Sequence, residues 1–415
     1  MVSVNFVEVA MLGRDCKQPL LSLERNFVCC PLSVVKNKMK RKLKYDTPIR
    51  IICAVLFATF SFLYIYLFQG ELLALVQDHL AQGQTSNNTL VTALVITMLL
   101  MVLQFFLNRA GQLHGRYEAL SYLPSCVLLA LITKVDNTYS YSWVQWVVAP
   151  LVVSVLYIVV VWINRNTLQL REAKFLSSLL PNLGVLVALF LFMGWYGNNN
   201  SVEHMELAAW KHTHDGKYER VLEVGKKSSD SNADLTALRN LALAKTGQLG
   251  DKLFAYPQSY GSAGLLMNRY NVQTPSYGAV EYYSLLGATP YGGEKASAFY
   301  KRLLQQSPSE EYRNLYASSL LLDKELDAFV AFTIDSNLPA ETLSEAPKHY
   351  QEAWMIYNEQ NPFTPITFVP NATVAQRYQR YLALREQYAE EPIVMQNFCK
   401  RQFGDTYWYY YDFVY

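Results

Sequence analysis

Five long stretches of apolar residues, separated by short polar connections, fill most of the first half of the chain. They cover residues 51–68, 89–107, 119–133, 141–163 and 175–196. A helix needs roughly 20 residues to cross a hydrocarbon core about 30 Å thick, so the pattern predicts about five transmembrane helices in a membrane domain of residues 39–196. The third stretch is the shortest and contains Pro124, which predicts a kink or a span completed by flanking residues.

The second half of the chain has shorter apolar patterns with the period of amphipathic helices. Gly197 and the three asparagines after it predict a hinge at residues 197–201. Gly216 and Gly247 lie 31 residues apart, and each comes just before a residue expected to open the next helix, as in stacked helical hairpins. Later helices are predicted over residues 315–334, with a turn at 323–325, and over 348–360 and 374–389.

These patterns together predict an all-α protein. About five transmembrane helices are followed by an irregular, tetratricopeptide-like helical-repeat domain over residues 202–415, which we expect to be soluble and extracytoplasmic. Residues 1–38 have neither a signal-peptide pattern nor helical periodicity, whereas the basic run that begins at Met39 is typical of the start of a first membrane helix. We therefore expect residues 1–38 to be a disordered extension and Met39 to be the true start.

Lysine and arginine fall on alternate connections between the apolar stretches. They precede the first stretch and occupy the second and fourth connections, while the first connection, residues 70–88, has none and the third has only Lys134. Connections rich in Lys and Arg stay in the cytoplasm. The pattern predicts a cytoplasmic N-terminus and, after an odd number of crossings, a C-terminal domain on the outside.

The two halves carry opposite net charges, +7 for residues 1–196 and −5 for residues 197–415. An acidic soluble half whose basic residues form no stripe argues against nucleic acid as a partner. Of the six cysteines only Cys399 lies in the soluble half, so that half cannot form an internal disulfide. The spacing of cysteine and histidine predicts no metal site, and nothing in the sequence predicts another cofactor.

The five apolar stretches contain no Asp, Glu, Lys, Arg or His, which argues against ion-coupled transport. Gln104 and the pair Pro181–Asn182 are polar exceptions, and they predict interhelical hydrogen bonds or a kink. The chain has no Gly-rich phosphate loop, nucleophile elbow or zinc-protease motif, so the sequence assigns no catalytic residue.

The candidates for a binding groove are tyrosines in and beside a Gly-rich segment. Such side chains offer stacking area with a polar tip to a partner peptide or sugar, or they pack between helices. They are Tyr260, Tyr270, Tyr277, Tyr282, Tyr283 and Tyr291.

Two histidine-containing segments are weaker alternatives. His212 and His214 could surround a cation together with Asp215 and His204, or they could form a solvated helix end. His349 and Glu352, one helical turn apart, come closest to an acid/base pair, with an ordinary surface pair as the alternative. The aromatic run at residues 407–415 is expected to dock on the domain or to touch the membrane surface.

Two segments carry a family resemblance. Residues 240–258, NLALAKTGQLGDKLFAYPQ, and residues 347–353, PKHYQEA, resemble an uncharacterised family of bacterial multi-pass inner-membrane proteins with a C-terminal tetratricopeptide-like helical domain. The resemblance covers most of the chain after Met39. It implies a bacterial inner membrane with a periplasmic C-terminal domain, and it brings no activity or catalytic residues with it.

Two functions remain open on the sequence alone. Stacked helical repeats bind proteins along concave surfaces, so the first hypothesis is a membrane-anchored protein that docks a protein or peptide partner in the bacterial cell envelope. The alternative is an envelope enzyme, or an enzyme subunit, that acts on a glycan or lipid-linked substrate near the tyrosine-rich segment. The lipid bilayer is an expected partner in either case.

Overall fold

The computed structural model describes residues 32–81, 88–111, 113, 115–134, 143–166, 175–267, 279–336, 345–362 and 369–414. Every regular element in these ranges is helical, in agreement with the predicted all-α class. Most of the predicted N-terminal extension, residues 1–31, lies outside the described part of the chain.

A helix is present at each of the five predicted membrane positions. In chain order the first half contains α1 (Leu32–Leu63), a π-helical turn (Tyr64–Phe68), α2 (Gly70–Ala81), α3 (Thr89–Gly111), a 3-10 helix (Gly115–Tyr122), α4 (Leu123–Ile132), α5 (Trp143–Asn166) and α6 (Phe175–Tyr196). Among the described residues, three segments are long and apolar enough to cross a membrane, namely Asp46–Phe68, Thr89–Gly111 and Phe175–Tyr196. A shorter apolar helix covers Tyr117–Ile132. These lengths indicate a membrane protein.

Two segments outside the predicted helices are helical. The first helix begins at Leu32, so residues 32–38 do not belong to a disordered extension. No Gly or Pro occurs between Leu32 and Thr47, which favours a helix up to the membrane segment, and Pro48 lies inside the same helix. Residues 70–81 of the first connection also form a helix, α2, which starts directly after Gln69.

The third predicted stretch is preceded directly by further helical residues. Its first part is the 3-10 helix Gly115–Tyr122, and α4 continues from there. Pro124 lies in the first turn of α4. Backbone N–H groups in a first turn have no partner within the helix, so proline fits there without kinking α4.

The membrane half packs as a bundle that is apolar outside as well as inside. Its buried side chains include Ile49, Phe57, Leu100, Leu129 and Met193. Its most exposed apolar side chains include Met98, Leu99, Phe105, Leu151 and Leu191. Long helices that expose continuous apolar faces are suited to contact with lipid acyl chains.

Three helix ends meet where the chain leaves this bundle. The backbone N–H of Asn198 donates to the carbonyl of Thr133 at 2.9 Å, and Gln69 Nε2 donates to the carbonyl of Asn198 at 3.2 Å. A Cβ at Gly197 would collide with the Tyr64 hydroxyl and would lie 3.1 Å from Thr133 Oγ1. The segment predicted as a hinge is therefore held at its start by hydrogen bonds and close packing.

The second half of the chain consists of twelve described helices and two short 3-10 turns. The helices are α7 (Ser201–His214), α8 (Tyr218–Glu223), α9 (Ala233–Lys245), α10 (Leu249–Lys252), α11 (Ala279–Leu286), α12 (Ala296–Gln306), α13 (Glu310–Leu322), α14 (Leu326–Asp335), α15 (Lys348–Gln360), α16 (Ala372–Gln387), α17 (Pro392–Phe403) and α18 (Tyr407–Phe413). The 3-10 turns, Leu253–Ala255 and Gly261–Leu265, lie between α10 and α11. They interrupt the succession of helical hairpins.

The predicted glycine turns are confirmed. Gly216 and Gly247 have φ values of 69° and 68°, a left-handed conformation that glycine adopts without a Cβ clash. The helices that follow them begin at Tyr218 and Leu249, as predicted. The aromatic C-terminal run also docks as expected, since Tyr407 to Tyr410 are all buried in the same apolar core as α9 and α13.

We predict that Gly197→Ala destabilises the protein, because the added methyl group must displace Tyr64 from the junction. Thermal unfolding of the detergent-solubilised full chain should show a fall in Tm of several degrees, in line with overpacking costs of about 1–3 kcal/mol. Gly194→Ala is the matched control, since a Cβ there has no atom within 4 Å. Equal Tm values for the two variants would contradict the close packing of the junction.

Candidate functional site

The six candidate tyrosines do not share one open surface. Tyr282 and Tyr283 are buried, and their hydroxyl groups donate to the carbonyls of Leu265 at 2.9 Å and Met267 at 2.7 Å. These two side chains connect Leu265 and Met267 to α11, so they stabilise the core. Because both are inaccessible, neither contributes to a groove in this arrangement.

Two other candidates are exposed and have separate neighbours. The Tyr260 hydroxyl donates to the carbonyl of Ser231 at 3.4 Å. The guanidinium of Arg302 lies 4.2 Å from the ring centroid of Tyr291. Tyr270 and Tyr277 lie outside the described residues.

The three histidines of α7 are not gathered around one point. His214 is exposed, and its Nδ1 lies 2.9 Å from Glu281 on α11. His204 Nε2 contacts the carbonyl of Asn198 at 3.0 Å, on the side of the membrane junction. Burial and the nearby Lys211 charge lower the pKa of His212, which favours its neutral form. The described residues include no cluster of three or more His, Cys, Asp or Glu side chains positioned to hold a metal ion.

His349 and Glu352 form a buried pair, and the alternative of an ordinary surface pair is wrong. Both residues have 0% exposure, and His349 Nδ1 lies 2.7 Å from Glu352 Oε2. The same carboxylate oxygen accepts the backbone N–H of Tyr407 at 2.8 Å. Lys348 Nζ lies 3.8 Å from the other oxygen. The sequence spacing placed both groups on one face of α15 but did not indicate that this face is covered.

The C-terminal helix α18 covers the pair. The indole Nε1 of Trp408 donates to the carbonyl of Glu352 at 3.1 Å. The ring of Phe254 contacts the His349 imidazole edge to face, with 4.7 Å between ring centroids. A substrate would have to displace α18 to reach this acid/base pair. Its arrangement is therefore that of an internal brace between α15 and α18.

A second buried carboxylate, Glu118, lies in the membrane half. It is 1% exposed, accepts from Arg50 Nε at 2.9 Å and accepts from Asn108 Nδ2 at 2.5 Å. Sequence reasoning missed it because Glu118 lies one residue before the predicted apolar stretch at 119–133. The short length of that stretch could have revealed Glu118, because a short stretch needs flanking residues to complete a span.

The polar exceptions within the apolar stretches stabilise the same region. Asn182 Oδ1 accepts the backbone N–H of Ala119 at 2.7 Å, and Asn182 Nδ2 donates to the carbonyl of Gly115 at 2.6 Å. Gln104 Nε2 donates to Ser121 Oγ at 2.8 Å. The predicted interhelical hydrogen bonds of Gln104 and Asn182 are confirmed. They satisfy the backbone of the 3-10 helix where water is excluded.

An open cavity of about 280 Å³ lies between α16 and α17. We call it the α16–α17 groove and define it by its lining residues, which are Thr373, Gln376, Arg377, Arg380, Gln402 and Phe403. Arg377 pairs with Asp405, which also accepts from Lys348 Nζ at 2.9 Å. Although burial raises the pKa of Asp405, the hydrogen bonds from Arg377 and Lys348 outweigh it and lower the pKa to about 2. Neither this groove nor its arginines were singled out from the sequence.

Comparison with known proteins identifies one family. The model of the Family of unknown function (DUF6057) matches residues 32–290 and 291–414. No curated protein and no solved structure matches the chain.

We predict that Glu352→Ala lowers the free energy of unfolding by roughly 3 kcal/mol or more, because it leaves His349 and the Tyr407 N–H buried without their acceptor. Chemical denaturation of the full chain, followed by tryptophan fluorescence, measures the loss. Glu386→Ala, at an exposed position of the same domain, should change stability by less than about 0.5 kcal/mol. A Glu352→Ala variant as stable as Glu386→Ala would rule out the brace.

The lowered pKa of Asp405 predicts a pH-dependent contribution to stability. A carboxylate with a folded-state pKa near 2 stabilises the fold fully above its unfolded pKa of about 4, and the contribution disappears as pH falls through about 2. The Tm difference between the wild type and Asp405→Asn should therefore shrink as pH is lowered from about 5 toward 2. Because the side chain is 45% exposed, we expect a difference of only about 1 kcal/mol at the higher pH. Asp230→Asn is the exposed control.

Proposed function

The chain belongs to this family of unknown function, and we propose that it is a membrane-anchored helical protein whose C-terminal domain docks a protein or peptide partner in the bacterial cell envelope. The proposed molecule crosses the inner membrane with about five helices, has its N-terminus in the cytoplasm and holds a tetratricopeptide-like domain in the periplasm. Three membrane-length helices support the anchor. The alternation between connections rich in Lys and Arg and connections with one or none supports the orientation.

The observation that carries the docking proposal is the burial of His349 and Glu352. An enzyme that acts on a glycan or a lipid-linked substrate needs an acid or base within hydrogen-bond reach of the bond that it cleaves. Both groups have 0% exposure and are covered by α18. His349 and Glu352 therefore stabilise the interior of the domain and are not placed to react with a substrate. This favours a function that depends on binding at the surface.

The junction with the membrane half supports docking in a second way. Lys211 Nζ on α7 lies 3.9 Å from a carboxylate oxygen of Glu71 on α2. The hydrogen bonds of Asn198 connect the chain before α7 to Gln69, which precedes α2, and to Thr133, which follows α4. A domain held at its base presents its surface in one orientation, which reduces the orientational freedom lost when a partner binds. The glycine-turned hairpins at Gly216 and Gly247 support the tetratricopeptide-like assignment.

Docking predicts that a photo-crosslinking amino acid on the soluble surface captures a defined envelope protein in native membranes. We would place it, one position at a time, at exposed positions of different helices, namely Glu219, Val280, Ile334 and Gln376, in the full-length chain. Leu191, which is 70% exposed on the membrane helix α6, is the control position. We expect the same protein from one or more soluble positions and not from Leu191. The absence of any captured protein at all four soluble positions would reject docking.

A further inference from the structure

The α16–α17 groove has a surface chemistry unlike that of the domain around it. Gln376 and Arg377 lie three and four residues after Thr373, and Arg380 lies four and three residues after them, so the four side chains share one face of α16. Gln402 and Phe403 complete the groove from α17. Phe403 is buried at its base, and the Arg377 guanidinium lies 5.7 Å from the Phe403 ring centroid.

The two arginines of the groove differ in their partners. Arg377 is held by Asp405 and donates from Nη2 to the carbonyl of Gln402 at 3.1 Å, so its charge is compensated and its position is set. Arg380 is exposed and has no carboxylate partner among the described residues. An unpaired guanidinium beside a pre-positioned one presents donors to an incoming carboxylate.

The charge around the groove opposes that of the domain as a whole. α16 contains Arg377, Arg380, Arg385 and one acidic residue, Glu386, while α17 contains Lys400 and Arg401 and no acidic residue. Glu390 and Glu391 lie between the two helices, so residues 372–404 carry five basic and three acidic side chains, a net charge of +2. Residues 197–415 together carry a net charge of −5. The local excess of positive charge therefore attracts an anionic partner to this face, and the net charge of the domain opposes its binding elsewhere.

We propose that the α16–α17 groove binds an acidic segment of the partner protein. This inference rests on the proposed docking function and adds the chemistry of the docked segment. Carboxylates of the segment pair with Arg380, while Thr373, Gln376 and Gln402 hydrogen-bond to its peptide groups along the groove. The apolar base at Phe403 accommodates one apolar side chain between the acidic ones.

The test uses the full-length chain in native membranes with a photo-crosslinking residue at Gln376. Arg380→Glu reverses the unpaired charge, and Arg220→Glu makes the same change at an exposed position of α8. We expect mass spectrometry to place the crosslink in a partner segment rich in Asp and Glu. The captured amount should fall about tenfold or more in Arg380→Glu, equivalent to about 1.4 kcal/mol, and should be unchanged in Arg220→Glu.

A binding assay on the purified full-length protein gives an independent readout. Fluorescence anisotropy should detect binding of a fluorescein-labelled polyglutamate peptide that weakens with added salt and with Arg380→Glu, while a polylysine peptide should not bind at the groove. Both variants are compared by thermal unfolding, so that a loss of fold is not mistaken for a loss of binding.

Three results would overturn the proposal. They are a crosslinked segment that is basic or apolar, capture that is undiminished in Arg380→Glu, or Arg380-dependent binding to anionic phospholipid vesicles without any captured protein. If the other soluble positions still capture a protein while Arg380→Glu has no effect, the groove assignment fails and docking stands. If no soluble position captures a protein, docking itself fails.

Discussion

Glu352 and Glu118 are carboxylates held away from solvent, and the packing around each of them depends on the donors that surround it. An ionised carboxylate loses its hydration when it is buried, and only well-placed hydrogen-bond donors and cations compensate for that loss. In the soluble half, His349 and the backbone of Tyr407 meet Glu352 and thereby fix α18 against α15. In the membrane half, Arg50 and Asn108 meet Glu118.

In the membrane half, buried backbone groups also depend on hydrogen bonds from neighbouring side chains. A 3-10 helix among apolar helices leaves peptide groups that water cannot satisfy, so side chains from neighbouring helices have to do so. Asn182 does this at both Gly115 and Ala119. Gln104 and Asn182 therefore have structural roles, and they allow the short segment 115–132 to pack against α3 and α6.

Because His349, Glu352 and Glu118 are buried and stabilise the interior, the groups that could bind a partner lie on the surface. The buried His349–Glu352 pair lies under α18, and the hydrogen bonds of Asn198 fix how the chain leaves the membrane helices. The accessible features of the described residues include the basic α16–α17 groove, in a half of the chain whose net charge is −5. A surface of this kind distinguishes partners by charge, through attraction at one face and repulsion at others.

The sequence by itself determined the all-helical class, the positions of the apolar helices and many of the turns. These depend on local properties, namely runs of apolar residues for the membrane helices and the left-handed conformation of Gly216 and Gly247 for the turns. Even Asn182 was recognisable as a source of interhelical hydrogen bonds, because an amide in an apolar helix must find a partner.

Only the tertiary structure decided which side chains are accessible. Tyr282 and Tyr283 look the same in the sequence as Tyr260 and Tyr291, yet the first two are core residues and the last two are exposed. His349 and Glu352 have the spacing of a surface pair on an isolated helix, and α18, more than fifty residues away, makes them interior. The groove likewise needs α16 and α17 side by side before its arginines become neighbours of Gln402. Burial and proximity arise from contacts between distant segments, and no local pattern encodes those contacts.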